Sequence, residues 1–120
     1  MTEEGPRPLL DELLGEQLSA VTFVQNYLQL SVDRPGINVT NPLTVRTAAA
    51  TIVSWQPGFR DLLCGQIAKV VAAVEYRAGE ILSIGFEDGS GLSISLRHED
   101  YDSPEAYFAH GFKNAGWFAE

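Results

Sequence analysis

The densest run of side chains able to do chemistry lies near the C-terminus: His98, Glu99, Asp100, Asp102, Glu105 and His110. Imidazoles and carboxylates this close could ligate a metal or work as a general acid and base. Their spacing matches none of the recurrent metal motifs. A strand end running into a helix accounts for each of them, with His98 at the strand rim, the acids in a loop, Glu105 near the helix N-terminus and His110 near its C-terminus. The macrodipole favours negative charge at the first end and positive charge at the second. Glu87-Asp88-Gly89-Ser90-Gly91 leads into a strand, whereas a phosphate cradle leads into a helix, and it lacks the further acids of a calcium loop. Ser83, Ser90, Ser93 and Ser95 lack the Gly-x-Ser-x-Gly elbow of a nucleophile. No catalytic, metal-binding or cofactor-binding residue is assigned, and no cofactor is expected.

The aromatic residues of the same region point to binding. Tyr101, Tyr107, Phe108, Phe112, Trp117 and Phe118 are interleaved with acids, and half of them are expected in the core. Aromatic groups rimmed by polar ones are how protein-binding surfaces look. Asp100, Tyr101, Asp102, Glu105 and Tyr107 are the candidate partner-binding set, suited to a partner's basic groove. The net charge of −8 fits such a partner, or a second copy of the chain, and disfavours nucleic acid and anionic lipid.

The 120 residues suit one domain, 45% hydrophobic and 20% charged, with one core. The apolar runs are too short for a membrane span, and Met1-Thr2-Glu3-Glu4 is the reverse of a signal peptide's basic start, so a cytoplasmic protein is expected. Cys64 is the only cysteine and, among leucines, is expected to be a small buried hydrophobe.

The elements that position these residues begin from one hairpin. Leu82, Ile84 and Phe86, then Leu92, Ile94 and Leu96, fall at every second position on either side of Glu87–Gly91, leaving Ser83, Gly85, Ser93, Ser95 and Arg97 on the other parity. A period of 2 broken by turn residues predicts antiparallel strands sharing one apolar face. Residues 1–7 read as a mobile tail, and Leu9, Leu10, Leu13 and Leu14 before Gly15 as a two-turn helix. Val21 and Phe23, then Leu28, Leu30 and Val32, predict a hairpin turning at Gln25-Asn26; Ile37 and Val39 make a third strand after Asp33-Arg34-Pro35-Gly36. Within residues 43–58 a strand is read at Thr51–Trp55. A second short helix precedes Gly65, a strand spans Lys69–Tyr76, Ser103-Pro104-Glu105 starts a third helix ending at Gly111, and Trp117–Ala119 is the last strand.

The chain also repeats itself. Leu13-Leu14, Gln17-Leu18 and Val21 match Leu62-Leu63, Gln66-Ile67 and Val70 at an offset of 49, and Leu28, Leu30 and Val32 match Leu82, Ile84 and Phe86 at 54. The expected fold is therefore α+β, mainly antiparallel β with about six to eight strands and two or three short helices. Two α-β-β-β halves, residues 8–40 and 59–97, would face each other across a pseudo-twofold axis, followed by a helix and strand in 98–120. Whether the strands form one sheet, a barrel or two stacked sheets stays open at this point.

Gln17–Val32 with its Tyr27-Leu28-Gln29-Leu30, and Leu82–Glu105 with its Phe86-Glu87-Asp88-Gly89 hairpin, resemble small bacterial α+β proteins, some of which are immunity proteins that neutralise secreted toxins. The resemblance implies a non-catalytic protein that blocks a basic toxin, and no catalytic residue to carry over. The alternatives are a small enzyme or ligand-binding protein with a pocket between the halves, His98 or His110 serving as its polar handle, and a structural or regulatory homodimer.

Overall fold

The computed structural model describes residues 10–113 and 116–120. Ten strands, paired antiparallel throughout, form two five-stranded sheets. The first runs β1 (Leu18–Val24), β2 (Tyr27–Val32), β3 (Gly36–Val39), β9 (Tyr107–Phe112) and β10 (Gly116–Ala119) in spatial order. The second runs β5 (Thr51–Val53), β4 (Leu43–Arg46), β8 (Gly91–Ser95), β7 (Ile81–Phe86) and β6 (Val71–Arg77). One short helix, α1 (Phe59–Cys64), and 3₁₀ turns at Asp11–Leu13 and His98–Asp100 complete the described residues.

Period 2 decides what the sheets bury. Leu28, Leu30 and Val32 of β2 and Leu82, Ile84 and Phe86 of β7 are all buried, while the residues between them are half-buried. Ile37 of β3 and Leu92 and Ile94 of β8 join the same cluster, so the inner faces of both sheets share one core. The shortest axis of the molecule, 23 Å, fits two sheets about 10 Å apart with side chains outside each. Leu10 and Leu13, and Phe59 and Leu63 of α1, are each no more than 1% exposed and complete that core.

Each half sends its last hairpin into the other half's sheet. β3 is followed in the chain by β4 and β5, yet pairs with β9, while β8 is followed by β9 and β10, yet pairs with β4. The 3₁₀ turn before β1 packs against β6, and α1 before β6 packs against β1. Just before β1 and β6 the two halves meet at a bridge, Gln17 to Val70. Around it Leu18 N–H donates to Lys69 C=O and Val71 N–H to Glu16 C=O; outside those, Gly15 N–H donates to Val71 C=O and Ala68 N–H to Leu18 C=O. Exchanging residues 53 positions apart maps each of these bonds onto another. The correspondence extends to backbone conformation, since Gly15 and Ala68 have φ of 83° and 81°. Alanine rarely adopts this left-handed region, which the bond to Leu18 C=O holds here.

Several expectations are corrected. Among the described residues there are ten strands, more than six to eight, because Leu43–Arg46 and Tyr107–Phe112 also form strands, each second from an edge of its sheet. The helix expected after Ser103-Pro104-Glu105 is a loop followed by β9: Tyr107 and Ala109 are buried and alternate with Phe108 and His110, and sheet pairing on both sides outweighs a local cap. Ser103 bonds Glu105 C=O and caps nothing. The first helix is a 3₁₀ turn over Asp11–Leu13, and its expected start at Pro8 and Leu9, with the tail at 1–7, lies outside the described residues. Bridge and ladder registers equate Gln17 with Val70 and Val21 with Val74, an offset of 53 in place of the 49 that the sequence pattern suggests. Cys64 is exposed, because Leu63 takes the inward position at the end of α1. Val21 and Phe23 lie on the first sheet's edge strand and are only partly buried.

Candidate functional site

β9 and β10 carry the aromatic C-terminal residues and sort them by parity. Facing in, Tyr107 and Phe112 are buried and both meet Phe118 edge-on, at ring separations of 6.2 and 5.0 Å. Facing out, Phe108 stacks on Trp117 with ring centres 5.5 Å apart and planes 11° from parallel, and His110 lies 6.1 Å from Phe108. Trp117 is 64% exposed. Its indole is held by its neighbours while most of its surface meets water, which is the condition of an anchor residue before it is covered. The imidazole of His110 lies across Gly36, where a Cβ would meet the ring.

The expected binding set is divided by the fold. Tyr107 is fully buried and offers nothing to a partner. Its hydroxyl lies 3.4 Å from Glu120 Oε1, and Tyr76 donates to Glu120 Oε2 at 2.7 Å. Burial, then the Glu120 carboxylate, raises the Tyr107 hydroxyl far above the usual phenol range; the same two causes push Tyr76 up to about 12. Both hydroxyls stay protonated as fixed donors. Asp100 is half-buried and accepts a bond from the Ser95 hydroxyl, while Tyr101 packs partly against the core. Asp102 and Glu105 remain exposed in the loop that leads straight into β9. Among the described residues no three or more His, Cys, Asp or Glu side chains come together as a metal site.

The outer face of the second sheet holds residues that, Asp100 apart, have no role assigned from the sequence. Thr44, Arg46, Glu75, Arg77, Ser83, Ser93, Ser95, Arg97 and Asp100 are among those that line a groove of about 560 Å³. Their signal was the polar parity Ser83, Ser93, Ser95 and Arg97 beside the core parity, which marks an outward face without saying what it meets. At the neighbouring hairpin Lys69 Nζ contacts Asp88 Oδ2 at 2.7 Å, and this cation, helped by Ser90, holds the Asp88 carboxyl well below the usual range. Comparison with known proteins finds no matching family model, curated protein or solved structure.

Proposed function

We propose that the protein is a non-catalytic protein-binding protein, and that its partner docks on the outer face of the first sheet. The observation that carries this reading is the Phe108–Trp117 stack, a rigid aromatic pair standing on an open face with Trp117 64% exposed. The acidic loop with Asp102 and Glu105 opens into the same strand, so negative charge immediately precedes the apolar anchor along the chain. A partner with an apolar pocket and a basic rim fits both, as a basic toxin would in the immunity role that the sequence resemblance implies. Duplication of one ancestral unit of five strands, with exchanged hairpins, accounts for the corresponding pairings in the two sheets; it frees one outer face to diverge from the other.

The test is calorimetric titration with the basic proteins encoded beside this gene. Trp117→Ala is expected to weaken the complex by about 30-fold or more, the size of an anchor-residue loss. Neutralising Asp102 and Glu105 should slow association and flatten its salt dependence. Full affinity in Trp117→Ala overturns the reading. A second copy is the second reading, favoured because the cross-strand row Thr22, Gln29, Asn38, Phe108 on this face has no carboxylate in a chain of charge −8. A concentration-dependent dimer abolished by Trp117→Ala would select it.

A further inference from the structure

We infer that the groove on the outer face of the second sheet binds a small polyhydroxylated ligand carrying one oxyanion, such as a sugar phosphate or a sugar acid. The floor is built from short side chains. Ser83 pairs across the strands with Ser93 and Ser93 with Thr44, and beside this row Gly85 pairs with Gly91 and Gly91 with Arg46. The hydroxyls of Ser83 and Ser93 lie 3.2 Å apart. Three neighbouring strands thus present hydroxyls at the bottom of the groove, with the two glycines lining a smaller hollow that shares Arg46, Glu75, Ser83 and Ser93 with it, and hydroxyls of this kind both donate to and accept from a polyol.

The walls supply the charge. Three of the chain's six arginines, Arg46, Arg77 and Arg97, line this one groove in a protein of net charge −8. Arg77 is matched by Glu75, whose Oε2 lies 3.2 Å from its Nε. Among the described residues Arg46 and Arg97 make no ion pair. The Arg46 guanidinium lies over Gly91, 3.7 Å from where a Gly91 Cβ would stand. A planar fork of donors beside a row of hydroxyls matches an oxyanion with hydroxyls next to it. Glu75, Glu80 and Asp100 also line the groove. Glu75 is taken by Arg77 and Asp100 by Ser95, and the remaining negative charge limits the ligand to one oxyanion, against a polyphosphate or a nucleic acid strand.

The experiment is amide chemical-shift mapping of the full chain with glucose 6-phosphate, glucuronate and glucose. The expected result is saturable shifts confined to β4, β7 and β8 with at least one of the two anionic sugars, and none with glucose; the two anionic arms distinguish phosphate from carboxylate. Arg46→Gln should weaken that binding by about tenfold, the loss of a charge-assisted contact, with an unchanged melting temperature because the side chain is exposed. Ser83→Ala with Ser93→Ala is a second variant that leaves the guanidinium in place and should also weaken it. No saturable shift with either anionic sugar, equal shifts with glucose, or full affinity in Arg46→Gln overturns the proposal.

Discussion

The two sheets correspond strand for strand inside and differ outside. Thr22, Gln29, Asn38 and Phe108 form one cross-strand row on the first sheet; Glu75, Ser83, Ser93 and Thr44 form the equivalent row on the second. Beside them His110 covers Gly36 in one sheet and Arg46 lies over Gly91 in the other. The inner rows stay alike, Leu30 beside Ile37 and Ile84 beside Leu92, because both feed one core. A close-packed interior resists change at every position, whereas a solvated sheet face tolerates any polar or aromatic set. One face is aromatic and the other a hydroxylated trough walled by arginine.

The largest expected effects fall on the shared interior. Ile84 is 3% exposed and Leu30 is 1% exposed, so Ile84→Asp and Leu30→Asp should each cost several kcal/mol, enough to unfold a small domain. Ser83→Asp and Gln29→Asp, one position away and facing out, should be mild. Denaturation midpoints that fail to separate the two pairs would break the equivalence of the inner rows. Next come the paired glycines. A Cβ on Gly91 would stand 2.9 Å from the backbone oxygen of Ile84, which the sheet fixes, whereas on Gly36 it meets the His110 side chain, which can swing away. Gly91→Ala should therefore cost about 1–3 kcal/mol and Gly36→Ala less, with His110→Ala restoring the latter; urea titration reads both.

A smaller difference separates the two bridge ends. Lys69 beside Asp88 in one half corresponds to Glu16 beside Asp33 in the other, where the hydrogen bond between the carboxyls raises Glu16 and lowers Asp33. Asp88, depressed in the folded state, contributes stability that is present above the usual carboxylate range and lost as pH falls through its folded value. Glu16, raised in the folded state, contributes in the opposite sense: its share is present below the usual range and lost as pH rises through its folded value. Melting scans should accordingly show Glu16→Gln stabilising at pH 7 but not at pH 4, and Lys69→Gln destabilising at pH 7.

Much of the interior was legible because alternation is a strong signal: Leu82, Ile84 and Phe86 occupy the buried parity read from the sequence, and the turns at Gln25-Asn26 and Glu87–Gly91 fall where expected. Local signals misled where a long-range pairing opposed them. Ser103-Pro104-Glu105 has the composition of a helix start, yet Tyr107–Phe112 lies between β3 and β10, and nothing near it in the sequence encodes those neighbours. The exchange of hairpins was illegible for the same reason. For the candidate site, the aromatic C-terminus was found, but the choice of Tyr107 over Phe108 depended on a parity that a helical reading could not supply.

Amide hydrogen exchange of the free protein and of its complex with a basic protein partner locates the docking face. In the proposed reading the corresponding sheets do different work, the first sheet's outer face meeting a protein partner. Protection gained on binding is expected to concentrate in β9 and β10, around Phe108, His110 and Trp117, and to leave β7 and β8 unchanged. Protection gained in β7 and β8 with none in β9 and β10 would contradict it.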